Sequence, residues 1–282
     1  TKWHARTDEI DIEVMATSEA GGAPVTGAVR KNEAGEELAT GSEVEPNVWL
    51  LIAEAAQLAA EGTEGEVGFT VEVRDEAGNV GVLEPGTAKV KIDGKRPAVA
   101  IVSGEEWHAR GPVATVTVQV TDGGAGLTAE SVKIANGAVC GAGAVPNEYA
   151  CLVATSGAAE NAESEVAYTV EVSDAVGNRE TADGVVRVDA KKPTVTLTAV
   201  QSWASRSETI VLRGTATDSG AGIFGTPRVE VRAGQTVETV NGTYDGNDGS
   251  ITFLVPASVA PNGATTTEIT ATVYVLDELG NE

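Results

Sequence analysis

Carboxylates and carboxamides at fixed spacing are the residues of this chain best suited to chemistry. The motif Asp-x-x-Gly-Asn occurs three times, led by Asp75, Asp174 and Asp277 and closed by Asn79, Asn178 and Asn281. A second set obeys a different rule. Asp93 and Asp189 each stand four residues before a proline, Pro97 and Pro193, while Asp122 and Asp218 each open a loop reading Thr-Asp-x-Gly-Ala-Gly. Oxygen ligands of this kind suit calcium, a hard cation that takes six to eight of them. The same residues also serve as plain turn formers, in which aspartate accepts hydrogen bonds from its own turn and glycine and asparagine supply left-handed backbone. Spacing alone leaves both readings open.

No catalytic constellation stands beside them. The two histidines, His4 and His108, both lie inside a Trp-x-x-Arg motif that runs from Trp3 to Arg6, from Trp107 to Arg110 and from Trp203 to Arg206. Ala204 takes the histidine's place in the third copy, which removes the usual general base. No Ser-His-Asp set, zinc cluster or phosphate loop is visible, so no catalytic residue is assigned and the chain reads as a non-enzyme. The Trp-x-x-Arg motif is predicted to form a corner, with the Trp covering one end of a core and the Arg stacked on it or paired locally. A sugar-binding aromatic is the functional alternative. Asn241-Gly242-Thr243 has the form of a glycosylation acceptor and is read as a chance match.

Charge narrows the partners. With 19 basic and 42 acidic residues the formal net charge is −23, which argues against nucleic acid and favours a soluble, self-repelling surface. No apolar run reaches the length of a membrane span. The two cysteines, Cys140 and Cys151, flank a turn-rich segment and are predicted to form a disulfide. The bridge would be worth about 3 kcal/mol in the chain-entropy model.

The elements that must position these residues are strands. Each Asp-x-x-Gly-Asn closes an alternating run, Phe69-Thr-Val-Glu-Val-Arg, Tyr168-Thr-Val-Glu-Val-Ser or Ala271-Thr-Val-Tyr-Val-Leu. A second short strand follows the first two copies and ends in Asp93 or Asp189. The copies begin at 75, 174 and 277, steps of 99 and 103 residues, about the size of one sandwich domain. Three domains are predicted, over residues 1–93, 94–189 and 190–282. The first lacks an opening Pro-led strand and the last stops before its final strand, as though cut from a longer array. Residues 48–60 look helical in isolation. The matching stretches, Tyr149-Ala-Cys-Leu-Val-Ala and Ile251-Thr-Phe-Leu-Val-Pro, argue for a strand up to about Ile52 and then a short helical turn. Short strands at near ten-residue spacing with turns between them make an all-β sandwich.

Here the chain resembles the bacterial immunoglobulin-like tandem repeats of large adhesins and surface proteins. The resemblance rests on the strand ending in Asp-x-x-Gly-Asn, on the Val/Ile-Asp-x-x-x-Pro linker, and on the Thr-Asp-x-Gly-Ala-Gly-Leu/Ile loop, which the first repeat lacks. It implies three tandem immunoglobulin-like antiparallel β-sandwich domains, the first and last incomplete. In that fold Asp93, Asp122, Asp174 and Asn178 converge at one linker, and Asp189, Asp218, Asp277 and Asn281 at the next. The resemblance implies calcium at such junctions in some members of the family. It further implies an exported module at the cell surface, serving as a semi-rigid stalk or a subunit of an extracellular filament. Its partners would be neighbouring domains of the array, copies of itself or a surface ligand. Recognition of a carbohydrate or host protein, or service as accessory domains of a secreted enzyme, are the competing readings.

Overall fold

A computed structural model of the 282-residue chain describes residues 2–282, apart from 20–21, 32–35, 84–88, 103–105, 112 and 264–265. The sequence also reads Asn-Glu-Ala-Gly-Glu at 32–36 as a turn and extends the second Trp-x-x-Arg corner over 104–112; positions 32–35, 104, 105 and 112 fall outside the described residues. The fold is all-β, with tandem immunoglobulin-like sandwiches. The described helices are two single 3-10 turns, Ala55–Gln57 and Ala257–Val259. Contacts gather the chain into two compact units. One comprises Thr1–Val102, Val116–Cys151 and Thr169–Asp183; the other comprises Ser103–Thr115, Leu152–Tyr168 and Gly184–Glu282.

In the first unit, Glu9–Met15 buries Ile10, Ile12 and Val14 and exposes the acidic residues between them, as the two-residue period of a strand requires. It pairs antiparallel with Val48–Glu54, in register from Glu9↔Glu54 to Met15↔Val48. The helical-looking segment is therefore a strand through Glu54, and Ala55–Gln57 supplies the turn after it. Tertiary pairing overrides helix propensity there, because Trp49, Leu51 and Ala53 all face the core. The opposing sheet runs in the order Glu37–Thr40, Val25–Lys31, Thr70–Asp75, Val80–Leu83. Phe69, Val71 and Ile92 close the core against Ile12 and Leu51, and each such buried side chain contributes about 1.5–3 kcal/mol. Farther along the chain Ala98–Ile101 pairs antiparallel with Ala114–Thr121. Val132–Ile134 pairs with Val170, Glu171 and Val172 of Glu163–Ser173. A disulfide joins Cys140 to Cys151, with Cα atoms 4.4 Å apart.

In the second unit, one sheet has the order Thr194–Ala199, Thr209–Thr217, Ser250–Pro256, Thr243–Asp245, and the other Thr236–Asn241, Ile223–Ala233, Thr270–Asp277. Leu212, Val229, Val231, Ile251, Phe253 and Val255 fill the space between them.

Among the described residues, two pairings depart from the antiparallel expectation, and both correct the Trp-x-x-Arg reading. Trp3–Ala5 lies parallel to Lys91–Asp93, and Trp107–Ala109 lies parallel to Arg187–Asp189. The first two corners are thus short strands. Their arginines do not stack on the tryptophans; Lys91 lies over the Trp3 ring, 5.3 Å from its centroid. Instead each arginine donates Nε–H to a main-chain oxygen about fifty residues later. Arg6 reaches Ala59 at 3.2 Å, Arg110 reaches Ala158 at 2.9 Å and Arg206 reaches Ala260 at 2.9 Å. The motif recurs because the connection after the Val48–Glu54 type of strand needs a donor for a carbonyl with no ladder partner. Trp203 covers nothing, since it is 82% exposed.

Candidate metal centres

The first centre forms where a strand end meets a glycine loop. Asp93 closes the strand Lys89–Asp93, whose pairing with Glu64–Gly68 sets Asp93 opposite Glu64. Its side chain is fully buried. Oδ1 accepts the Lys95 amide at 3.0 Å, and Oδ2 accepts the Ala125 amide at 2.6 Å. Ala125 belongs to the 121–126 loop, which is held in shape by Asp122, whose Oδ2 accepts the Gly126 amide at 2.7 Å. Gly124 is obligatory here: a Cβ on it would stand 2.2 Å from Asp93 Oδ2, closer than any carbon–oxygen contact allows.

The Asp-x-x-Gly-Asn turn supports this arrangement from below. Asp174 Oδ1 accepts the amides of Val176, Gly177 and Asn178 at 2.7–2.9 Å. Asn178 donates its side-chain amide to Asp174 Oδ2 at 2.6 Å and to the main-chain oxygen of Asp93 at 3.1 Å. Carboxylate oxygens of Glu64, Asp93 and Asp122 come within 4.8 Å of one another. Two of the buried oxygens here, Asp122 Oδ1 and Glu64 Oε2, accept no hydrogen bond. Burial, and then the charges of Asp93, Asp174 and Glu64, push the Asp122 carboxyl above its usual range against the opposing Gly126 amide.

The second centre repeats the plan. Asp189 is fully buried, with Oδ1 on the Lys191 amide at 2.9 Å and Oδ2 on the Ala221 amide at 2.8 Å. Asp218 Oδ1 accepts the amides of Gly220 and Gly222, both at 3.0 Å, and its buried Oδ2 accepts nothing. A Cβ on Gly220 would stand 2.1 Å from Asp189 Oδ2. Asp277 Oδ1 accepts the amides of Leu279 and Asn281, and Asn281 donates its side-chain amide to Asp277 Oδ2 and to the Asp189 carbonyl. The oxygens brought within 4.8 Å of one another are those of Asp189, Asp218 and Asp277.

The structure thus gathers the sequence-predicted residues into two clusters but divides their labour. The aspartates present oxygens. Asn178 and Asn281 turn their amide nitrogens inward, so they act as clamps on Asp93 and Asp189 and not as oxygen ligands through those contacts. Glu64 enters the first cluster in place of a second turn residue. In the second, Glu163 binds Lys191 Nζ at 2.9 Å and the Ser219 hydroxyl, and these donors, the hydroxyl first, hold its carboxyl below the usual range. Lys95 Nζ lies 3.1 Å from Glu64 Oε1 in the same way. Glu64 and Glu163 escaped notice in the sequence, yet each stands 11 residues before its motif aspartate. The first copy of the motif is an isolated turn. Asp75 accepts the main-chain and side-chain amides of Asn79, both at 2.8 Å; Asp75 is half-buried and Asn79 exposed.

Residues 181–282 match the family model described as a bacterial Ig-like domain. No curated protein sequence matches the chain. Among solved structures, one from a 1.5-MDa bacterial ice-binding adhesin, studied for host cell surface retention, superposes with a TM-score of 0.52 at 20% identity, over 99% of this chain and 90% of that one. That likeness shows the fold. A tetra-tandem repeat from the extending region of a large adhesion protein gives a TM-score of 0.35 at 19% identity, over 90% of this chain and 63% of that one.

Proposed function

From the premise that residues 181–282 form a bacterial Ig-like domain, we propose that the chain is a non-catalytic structural and adhesive repeat region of an exported bacterial surface protein. Its domains, residues 1–93, 94–189 and 190–282, act as a semi-rigid stalk or filament subunit at the cell surface, with neighbouring Ig-like domains as first partners. The observation that carries this reading is the repeated linker aspartate. Asp93 and Asp189 are buried, and each is read by a loop some thirty residues later and by an asparagine more than eighty residues later. A linker bound on so many sides resists bending.

Calcium completes the reading. The fit rests on the buried oxygens of Glu64, Asp122 and Asp218 that accept no hydrogen bond, a costly state for an ionised group unless a cation meets it. Glu64, Asp93 and Asp122, beside Asp174, would hold one ion, and Asp189, Asp218 and Asp277 the other. Main-chain oxygens and water would complete a shell of six to eight. A bound ion would neutralise the mutual repulsion and tie linker to loop. The test pairs calorimetric titration of the chelator-treated chain with calcium and small-angle scattering in both states. Two binding events and a larger maximum dimension with calcium support the reading. No heat and no change in dimension would overturn it.

A further inference from the structure

One position recurs in all three repeats, where the chain leaves one sheet for the other. Gly41 lies between Glu37–Thr40, which pairs with Val25–Lys31, and Ser42–Glu45, which pairs with Val48–Glu54. Gly242 lies between Thr236–Asn241, paired with Ile223–Ala233, and Thr243–Asp245, paired with Ser250–Pro256. Cys140 has that place in the second repeat, between Val139, bridged to Lys133, and Gly141–Ala142, paired with Glu148–Val153. The main-chain amides agree. Gly41 donates to the Ala28 carbonyl at 2.7 Å, Cys140 to Val132 at 2.9 Å and Gly242 to Pro227 at 2.7 Å.

The residue facing this crossover changes to match. It is Leu51 in the first repeat, Cys151 in the second and Phe253 in the third, each fully buried. A Cβ on Gly41 would stand 3.0 Å from Leu51 Cγ, and one on Gly242 would stand 2.5 Å from Phe253 Cε1. Those two crossovers hold one side chain, and glycine admits it. The second repeat holds two, on Cα atoms 4.4 Å apart. They fit as one bonded unit. Sulfurs joined by a bond take less room than sulfurs in van der Waals contact, and a close-packed interior does not absorb the difference.

We propose that the Cys140–Cys151 bond is a redox latch on a sheet edge. Oxidised, it pins the crossover of the second repeat and covers the edge of Glu148–Val153. Reduced, the two thiols no longer share the space, and Cys140 leaves. Its neighbours Gly141 and Ala142 are exposed on the edge strand, whereas Cys151 is buried within Glu148–Val153. The departure uncovers a strand edge open to pairing with another chain. The reductant is a dithiol. One of its thiolates attacks a cysteine sulfur and expels the other cysteine; its second thiolate then closes the reductant's own disulfide and expels the first. Two electrons and two protons pass from the dithiol to the cysteines. Both cysteines are buried, so attack waits for the edge to open and the latch is set as the repeat folds. The first and third repeats, closed by glycine, do not respond to thiols.

The test compares the oxidised 282-residue chain with the same chain unfolded and refolded in dithiothreitol. In the reduced chain iodoacetamide should modify Cys140 about tenfold faster than Cys151, because exposure controls access to a thiol. Amide exchange at Cys140 and Gly143 should quicken by about tenfold or more, while Gly41 and Gly242 stay unchanged. Cys140→Gly combined with Cys151→Leu installs the first repeat's pair and should restore slow exchange at Gly143 in reductant. Equal alkylation of the two cysteines, or exchange at Cys140 and Gly143 as slow as in the oxidised chain, would overturn the proposal, and neither measurement needs the variant. So would a double variant that keeps the parent's circular dichroism yet exchanges at Gly143 as fast as the reduced parent.

Discussion

The side-chain amide of Asn178 donates to the main-chain oxygen of Asp93, 85 residues earlier in the chain, at 3.1 Å. Asn281 makes the same bond to Asp189 across 92 residues, at 3.2 Å. Each pair joins the end of one sequence repeat to the hairpin turn of the next.

Removing that clamp should therefore cost more than removing the same asparagine from an isolated turn. Asn178→Ala deletes two side-chain hydrogen bonds around a buried aspartate, each worth about 0.5–1.5 kcal/mol net. A loss of about 1–3 kcal/mol is expected in chemical denaturation. Asn79→Ala, at an exposed turn with no linker aspartate, should cost under about 1 kcal/mol. Equal costs would mean that the bond to Asp93 contributes nothing.

Gly124→Ala and Gly220→Ala should each destabilise by about 1–3 kcal/mol, the range for overpacking, because the new methyl meets a buried aspartate oxygen at 2.2 or 2.1 Å. Gly123→Ser should be tolerated. Ser219 already occupies the corresponding place and donates its hydroxyl to Glu163, and the atom nearest a Cβ on Gly123 is the mobile Glu64 Oε1. Thermal melts of the three variants test the contrast.

The raised carboxyl of Asp122 gives stability a pH signature. A group whose folded value lies above its unfolded one contributes stability that is fully present below the unfolded value, 3.8 here, and is lost as pH rises through the folded value. At neutral pH, without a cation, ionised Asp122 thus opposes folding. Asp122→Asn should raise the melting temperature at pH 7 in chelator and should shrink the rise produced by calcium to the share of the Asp189, Asp218 and Asp277 centre. The difference between variant and parent should vanish at pH 3. A lower melting temperature for the variant at pH 7 in chelator would show that its charge is already balanced within the protein.

Arg30 is the largest fully buried side chain. It pairs across strands with Val71, as Ile134 does with Val170 and Val229 with Val273, so it occupies a core position that is aliphatic in the other two repeats. Its Nη2 donates to Gln57 Oε1 at 2.9 Å, while Nε and Nη1 have no partner. Burial lowers the guanidinium's affinity for its proton. Arg30→Leu should stabilise the first unit by about 1–3 kcal/mol in urea denaturation, because a buried charge lacking full pairing costs more than an apolar residue of similar volume.

The sequence by itself determined the strands and their repetition. Alternation in residues 9–15, 69–74 and 168–173 reports which face each side chain takes, and Asp-x-x-Gly-Asn reports a turn through local hydrogen bonds. Both signals are short-range, so they survive in a one-dimensional string. The grouping of Asp93 with Asp122 and Asp174 was also legible, since domain-length repeats and the fold they imply place those loops at one end. Only the tertiary structure decided the rest. Glu64 joins the cluster through its register opposite Asp93, Asn178 presents nitrogen because its neighbours are two acceptors, and Arg6 finds a carbonyl 53 residues away. Register and hydrogen-bond polarity between distant strands depend on which backbone groups the fold leaves unpaired, and spacing along a chain does not encode that.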